Sequence, residues 1–152
     1  MTSSFKLDEL DCEIIDKLTF DSRLSIRQLA VLLKVAPATI ATRVKKLEEN
    51  KVILGYGAFV DDVKVGKDFL GITELTIRKG ALLEVQKKIA MMPGVVSVYD
   101  ITGNSDSMVL CKCKNRSEYS ILVKKILAID NVERANTHVI LNVIKDNGIL
   151  KI

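Results

Sequence analysis

The feature that most constrains the fold of this chain is a change in hydrophobic spacing near Lys51. Before this point, apolar residues recur every three or four positions, which is the spacing of amphipathic α-helices. After it, short apolar runs bounded by turn residues alternate with two further helical stretches, which is typical of strands connected by helices. The sequence therefore predicts an α+β protein with a helical first part and a mixed second part.

Three helices are predicted in the first part. Asp8 is a candidate N-cap of the first helix, which ends near residue 20. The second helix begins at Ser25-Ile-Arg-Gln28, a capping box in which each side chain satisfies a main-chain donor of the other residue. Pro37 opens the third helix, whose inward stripe comprises Ile40, Val44 and Leu47. The short break between the last two helices is typical of a helix-turn-helix.

The second part has the order strand, helix, strand, strand, helix, strand. The predicted strands span residues 69–79, 95–102, 107–114 and 132–144, and the predicted helices span 81–92 and 117–128. This βαββαβ order is the ferredoxin-like plan, one antiparallel sheet with two helices on one face. A further strand is predicted over residues 52–60. The predicted domains are a helix-turn-helix domain at 1–51, a β-strand hinge and linker at 52–67, and a ferredoxin-like domain at 68–152.

Composition narrows the class of protein. The 152 residues include 23 Lys and Arg against 19 Asp and Glu, a net charge of +4, and 48% hydrophobic residues, a globular balance. No apolar run approaches the ~18–20 residues of a membrane helix, and no signal peptide is recognisable. Three cysteines are too few for a disulfide framework. We therefore expect a cytoplasmic protein without a membrane partner.

The positive charge is concentrated in the helix-turn-helix region. Residues 22–47 contain no Asp or Glu and six cations, namely Arg23, Arg27, Lys34, Arg43, Lys45 and Lys46. Solvation of a helix surface is the simpler interpretation of a single basic helix. On a helix-turn-helix pattern, this block favours binding to the phosphates of double-stranded DNA.

Helical geometry separates candidate base contacts from candidate phosphate contacts. With the stripe of the third helix inward, a turn of about 100° per residue directs Ala38 and Thr42 outward, flanked by Thr39. These three side chains are predicted to meet base edges, because recognition helices insert their N-terminal half into the major groove. Small side chains predict modest direct readout. The predicted DNA-binding set comprises Pro37, Ala38, Thr39 and Thr42, with Arg23, Arg27, Arg43, Lys45 and Lys46 on phosphates.

Three other features of the sequence carry groups that could bind a metal or a ligand or act in catalysis. Cys111-x-Cys113 lies on one face of a predicted strand, but a structural zinc site needs four ligands, so we interpret both as core residues. The only histidine, His138, is more often structural than a general base in such a position. The turn Gly103–Asp106 combines a carboxylate with main-chain N–H groups, which is what a small zwitterion needs. On sequence alone, a simple hairpin turn is the better interpretation of these four residues.

These segments together resemble the Lrp/AsnC family of transcription factors of bacteria and archaea. The resemblance covers nearly the whole chain, and its ordered combination of motifs is highly specific. The residues that carry it are 7–11, 23–30, Pro37, 43–48, 52–56, 93–96, Tyr99, 102–106 and 131–138. Departures from the family pattern are Lys34 and Lys51, where the family usually has Gly, Ala36 in place of an N-cap Ser, and Asn104 in place of Asp.

The resemblance implies a winged-type helix-turn-helix joined to a ferredoxin-like domain that forms homodimers and often octamers. It further implies no cofactor and a small amino-acid effector bound between C-terminal domains. The effector-binding residues that it implies are Tyr99, Thr102, Gly103, Asn104, Ser105, Asp106, Asn136, Thr137 and His138.

Three functions follow from the sequence. The first is a sequence-specific, nucleoid-associated transcriptional regulator modulated by an amino acid, which is not an enzyme. The second is an effector-independent architectural DNA-binding protein, since the candidate base contacts are small. The third is an enzyme similar to siroheme decarboxylases, which resemble this family and need a usable histidine.

Overall fold

The computed structural model describes residues 5–145. Its contacts divide this part of the chain into two compact units, residues 5–59 and 60–145. The division falls inside the predicted linker, while Val52 and Ile53 pack against the helical core of the first unit. Among the described residues, no helix is long and apolar enough to cross a membrane.

The first unit contains three helices, α1 (Glu9–Phe20), α2 (Ile26–Leu33) and α3 (Pro37–Glu49). The predicted capping box of α2 forms, because the Ser25 N–H donates to Gln28 Oε1 at 2.8 Å and Ser25 Oγ accepts the Gln28 N–H at 3.3 Å. Asp8 is the N-cap of α1, as predicted, and it accepts the Asp11 N–H at 2.9 Å. The Asp11 carboxylate accepts the Asp8 N–H in return at 3.2 Å. Both helix starts therefore have their free main-chain donors satisfied locally.

Helix α3 begins without a side-chain cap, because Ala36 has no oxygen to offer. Its backbone is extended, with φ −60° and ψ 139°, as at a normal N-cap, and Pro37 supplies the fixed φ of the first turn. The predicted stripe of α3 is confirmed as buried. The fully buried core residues of this unit include Ile14, Leu29, Ile40 and Leu47.

Two lysines make the sharp turns of the first unit. Lys34, after α2, has φ +55°, and Lys51, after α3, has φ +57°, so both adopt the left-handed conformation. A residue with a Cβ pays about 1–2 kcal/mol for this conformation relative to the right-handed helix. Lys34 and Lys51, which stand where the family usually has Gly, thus occupy positions that Gly would adopt without this cost.

The strand predicted over residues 52–60 is not formed in the single chain. Strands need a neighbour for their N–H and C=O groups, and no segment among residues 5–145 pairs with this one. The N–H groups of Val52 and Ile53 donate instead to the Leu47 carbonyl. Beyond them, Leu54 and Phe59 are 87% and 75% exposed. The apolar pattern that predicted a strand is therefore left in solvent.

The second unit confirms the ferredoxin-like prediction and the α+β class. Its four strands form one antiparallel sheet in the order β2-β3-β1-β4. Because β1 is flanked by β3 and β4, residues far apart in sequence meet across it. The elements are β1 (Phe69–Ile77), α4 (Leu82–Ala90), β2 (Val95–Asp100), β3 (Ser107–Cys113), α5 (Arg116–Leu127) and β4 (Val132–Val139).

The two faces of the sheet differ in burial. Alternate residues of β1 and β3 are buried against α4 and α5, in a core that includes Leu75, Ile89, Val109, Cys111 and Ile126. Tyr119 of α5 lies directly on Gly71, where a Cβ would come within 2.5 Å of the ring Cζ. The Tyr119 hydroxyl is within 2.9 Å of Thr73 Oγ1. The opposite face of the sheet, called here the outer face, is half-buried and mixed in polarity.

Several strands are shorter than predicted. Strand β4 ends at Val139 rather than at residue 144, since Val139 pairs with Gly71 and β1 begins at Phe69. A strand cannot extend far beyond the end of its partner. Strand β1 likewise ends at Ile77, where the register with β4 shifts.

Candidate DNA interface and effector site

The exposed side of α3 carries the residues predicted to meet base edges. Pro37, Ala38, Thr39 and Thr42 are all exposed, on the N-terminal half of the helix. Thr42 Oγ1 donates to the Ala38 carbonyl at 3.0 Å, so one hydroxyl already has a main-chain partner. The exposed side chains of this face are small and offer few donors for direct readout.

The predicted phosphate contacts differ in how freely their charges are available. Arg23 and Arg27 are exposed, and their guanidinium groups form no ion pair within the described part of the chain. Lys45 is paired with Glu49 of the same helix at 3.7 Å. Lys46 Nζ lies 4.9 Å from the centre of the Phe5 ring, a cation–π distance that leaves its charge available.

Arg43 has a partner inside the unit, which sequence reasoning missed. One guanidinium nitrogen contacts the Asp8 carboxylate and lies 3.2 Å from Asp11 Oδ1. The main-chain N–H of Asp11 and the Arg43 guanidinium together hold the pKa of Asp8 below its ordinary value. Asp11 is only 2% exposed, so Arg43 compensates a buried carboxylate and joins α3 to the start of α1. A phosphate contact from Arg43 would have to compete with this ion pair.

The second candidate site lies at one end of the outer face, around the loop of residues 102–105, called here the effector loop. A hollow of about 700 Å³ opens beside this loop. It is lined by Glu74, Asp100, Ile101, Thr102, Asn104, Ser105 and Met108. We call it the large hollow.

A small hollow of about 250 Å³ adjoins the large one, because Glu74, Asn104 and Ser105 line both. Its other walls are Thr76, Arg134 and Asn136. The sheet register explains this meeting, since Glu74 of β1 stands opposite Met108 of β3 on one side and Asn136 of β4 on the other. Glu74 was not among the sequence candidates, yet it is shared by both hollows. Nothing local in the sequence identifies it, because its position depends on strand order and register.

Asp106, at the end of the effector loop, is hydrogen-bonded to the main chain of β1. Its Oδ2 accepts the Ile77 N–H at 2.7 Å, and its own N–H donates to the Leu75 carbonyl at 2.9 Å. It lines neither hollow and instead ties the end of the effector loop to the end of β1. Glu74 is the carboxylate residue that lines both hollows, and the ligand-binding role of Asp106 stays a prediction.

The remaining effector candidates are distributed around the hollows. Gly103 lies within the effector loop with φ +122°, which favours glycine. Tyr99 stands opposite Met108 on the outer face and is half-exposed. His138 is also exposed, with Nε2 within 3.1 Å of Asn136 Nδ2 and 3.7 Å of Glu74 Oε2. Thr137 alternates with these residues on β4 and opposes the buried Thr73, so it belongs to the helix-side face.

Comparison with known proteins identifies both units. Residues 7–48 match the AsnC-type helix-turn-helix domain, and residues 70–150 match the Lrp/AsnC ligand binding domain. The chain belongs to the Lrp/AsnC family. It is a transcriptional regulator with a DNA-binding helix-turn-helix and an Lrp/AsnC ligand-binding domain.

Relatives of this Lrp/AsnC protein match it over nearly its full length. An uncharacterised HTH-type transcriptional regulator of Pyrococcus abyssi is 43% identical over 141 residues, which cover 93% of this chain and 96% of that protein. The structure of B. subtilis LrpC matches with a TM-score of 0.83 at 29% identity, covering 93% and 99% of the two chains. A Neisseria meningitidis transcriptional regulator, solved in complex with L-methionine, has the same fold, with a TM-score of 0.88 at 24% identity over 95% and 96% of the chains.

The cysteine pair of this Lrp/AsnC protein is part of the core, as predicted. Cys111 and Cys113 are both buried under α5. Burial, with a smaller contribution from Cys113, raises the pKa of Cys111 to about 12. The Cys111 thiol is therefore a neutral core group at neutral pH. Among residues 5–145, no three His, Cys, Asp or Glu side chains are grouped as a metal site would need.

Proposed function

We propose that this regulator binds double-stranded DNA through the N-terminal half of α3. The observation that carries the proposal is the exposed face of Ala38, Thr39 and Thr42 beside cations that remain available for phosphates. Arg23, Arg27 and Lys46 supply the phosphate contacts. Lys45 contacts phosphate when it leaves its ion pair with Glu49. Arg43 orients α3 against α1. Within this proposal, residues 1–51 bind DNA, 52–67 form the hinge and 68–152 bind the effector and assemble.

Binding by one helix-turn-helix unit is expected to be weak, because its base-facing side chains are small. Affinity then arises from two or more linked units on a pseudo-palindromic site, so we propose a homodimer or a higher assembly such as an octamer. The exposed segment of residues 54–60 supports self-association. Its main chain lacks a strand partner among residues 5–145, and its apolar side chains lie in solvent.

We further propose that a small amino acid binds at the effector loop and modulates DNA binding. The support is the pair of hollows in a domain that matches the Lrp/AsnC ligand binding domain. To act as an effector, the amino acid must favour one assembly or DNA-bound state over another, with a coupling of typically about 1–3 kcal/mol.

The test is fluorescence anisotropy of labelled promoter DNA from the protein's own gene, titrated with the full chain at several salt concentrations. Sedimentation is measured in parallel, with and without a pool of the twenty amino acids. Arg27→Ala should weaken binding and lower the salt slope by about 1. Lys125→Ala removes the same charge from an exposed site on α5 and serves as the matched control.

The outcomes separate the candidate functions. A shift of assembly or affinity with amino acids supports the ligand-responsive regulator. Tight binding that ignores amino acids and hardly distinguishes promoter from scrambled DNA supports the architectural role, which the small side chains of α3 favour. Absence of any DNA binding overturns the proposal, and an absorbance spectrum after addition of a tetrapyrrole then tests the enzyme alternative.

A further inference from the structure

We infer that α3 reads A·T base pairs through the C5-methyl groups of thymine, with Ala38 and Thr42 making the central contacts. This inference rests on the proposed DNA-binding function and deepens it, because it names the feature of the bases that sets the sequence preference. The residues concerned are Ala38, Thr39, Ala41 and Thr42, called here the recognition face. Their side chains present methyl groups and very few hydrogen-bonding atoms.

The buried stripe of α3 determines which side chains point towards a groove. At about 100° per residue, Ala38 and Thr42 lie opposite the stripe, with Ala41 and Thr39 on the two flanks. All four residues are exposed. Ala38 and Thr42 are about one turn apart, roughly 6 Å along the helix axis, and base pairs are stacked about 3.4 Å apart. The two side chains are therefore spaced to contact neighbouring base pairs.

The recognition face lacks the side chains that read bases through paired hydrogen bonds. Arg and Lys read guanine in this way, and Asn and Gln read adenine. Residues 36–42 contain none of these four residue types. Their only polar side-chain atoms are the hydroxyls of Thr39 and Thr42, and Thr42 Oγ1 donates to the Ala38 carbonyl at 3.0 Å. The hydrogen of the Thr42 hydroxyl is thus already used within the helix, whereas its methyl group is not.

The cations that follow the recognition face do not supply base readout in its place. Arg43 contacts the carboxylates of Asp8 and Asp11 at the start of α1, and Lys45 is paired with Glu49. Contacts to phosphate position a protein on the duplex and carry no direct sequence information. The sequence preference of α3 therefore depends on its methyl groups.

The thymine C5-methyl is the apolar group that base pairs present in the major groove, and alanine and threonine methyl groups pack against it. Removing one such methyl from water on each side of a contact is worth about fourfold in affinity. At a G·C pair, the same protein methyl groups would cover polar base edges without offering them a hydrogen bond, which is unfavourable. The recognition face is thus complementary to thymine and discriminates against guanine and cytosine.

Fluorescence anisotropy of the full chain with modified promoter DNA from its own gene tests the inference. One fragment contains thymine, a second contains uracil in its place, which removes only the methyl group, and a third contains 7-deazaguanine, which removes the N7 acceptor of guanine. A scrambled fragment gives the non-specific affinity.

Three variants accompany these fragments. Thr42→Ser removes the methyl group and keeps the hydroxyl, whereas Thr42→Val keeps a methyl group and removes the hydroxyl. Thr19→Ser makes the same change as Thr42→Ser on α1, outside the recognition face, and is the matched control.

The wild-type protein is expected to bind the uracil fragment at least tenfold more weakly than the thymine fragment, and the 7-deazaguanine fragment within about twofold. Thr42→Ser should weaken binding to the thymine fragment about fourfold for each bound helix. It should also reduce the effect of uracil, because the two changes remove opposite sides of one contact. Thr42→Val and Thr19→Ser should keep both the wild-type affinity and the effect of uracil.

Three results would contradict the account in different ways. Specific promoter binding with equal affinity for thymine and uracil overturns the inference and leaves the DNA-binding function intact. An effect of uracil that is the same in the wild-type protein and in Thr42→Ser also overturns the inference, since DNA shape would then carry the preference. Failure to bind any of the fragments overturns the proposed function itself.

Discussion

The two units of this regulator are organised by interactions of different range. In the helix-turn-helix unit, the helix starts are set by residues three apart, Asp8 with Asp11 and Ser25 with Gln28. In the C-terminal unit, the candidate site joins Glu74 to Asn136, which are 62 residues apart. Local bonds are visible as sequence motifs, whereas the distant contact exists only once the strands are ordered and in register. The helices and caps of the first unit could therefore be predicted from the sequence, whereas the residues that meet around Glu74 could not.

The largest expected effect tests the tight packing of the C-terminal unit. Gly71→Ala should destabilise the protein by about 1–3 kcal/mol, because the added Cβ would overlap the Tyr119 ring. Gly55→Ala is the matched control, since no heavy atom lies within 4 Å of a Cβ at that position. Urea unfolding curves of the two variants measure the difference. Equal midpoints would mean that Tyr119 moves aside without cost.

The second prediction tests the local character of the helix-turn-helix unit. Ala36→Ser should stabilise α3 by about 0.5–2 kcal/mol, since the backbone already has the N-cap conformation and lacks only the oxygen. Ala41→Ser places the same side chain at an exposed position within the helix, where it has no capping role. Thermal unfolding followed by circular dichroism compares the two variants. A gain that is the same in both would contradict capping as the cause.

The sequence predicts those features that depend on neighbouring residues and misses those that depend on distant ones. Caps and the stripe of Ile40, Val44 and Leu47 were predictable because helical periodicity and capping involve neighbouring residues. The single antiparallel sheet with two helices on one face was predictable from the βαββαβ sequence of elements. The strand predicted over residues 52–60 is not formed within the chain, since an apolar pattern cannot show whether a partner strand is present in the same chain. The ion pairs of Arg43 were not predicted, because its partners Asp8 and Asp11 lie at the start of α1, more than 30 residues away in the sequence.

The third prediction distinguishes a cation that contacts DNA, Lys46, from a cation that stabilises the helix-turn-helix unit, Arg43. Lys46→Ala should weaken promoter binding, lower the salt slope by about 1 and leave thermal stability nearly unchanged. Arg43→Ala should lower the melting temperature, because Asp11 would keep a buried carboxylate without its cation. Anisotropy and thermal unfolding on the same samples check both variants. If Arg43→Ala alters only the salt slope, Arg43 is a phosphate contact after all.

The smallest expected effects concern the pH dependence of stability. Acid should destabilise the first unit, and alkali should destabilise the second. The lowered pKa of Asp8, due first to the Asp11 N–H and then to Arg43, stabilises the folded state above the ordinary value of 3.8. This contribution is lost as the pH falls further through the lowered pKa. Burial raises the pKa of Cys111 from 9.0 to about 12. The stability that the buried neutral thiol contributes is therefore complete below pH 9.0 and is lost as the pH rises towards 12.

Asp8→Asn should therefore reduce the loss of stability in acid, and Cys111→Val should reduce the loss in alkali. Melting temperatures measured from pH 3 to pH 11 follow both variants and the wild-type protein. An acid transition that is identical in Asp8→Asn and wild type would show that other carboxylates dominate it.

The measurement that tests the central claim most directly is promoter binding of the wild-type chain and of Glu74→Gln, each with and without the amino-acid pool. The account predicts that amino acids shift the Kd of the wild-type protein, while Glu74→Gln binds DNA equally well without them and responds far less. It would be contradicted by a wild-type protein that does not bind the promoter, or by an amino-acid response of the same size in both proteins.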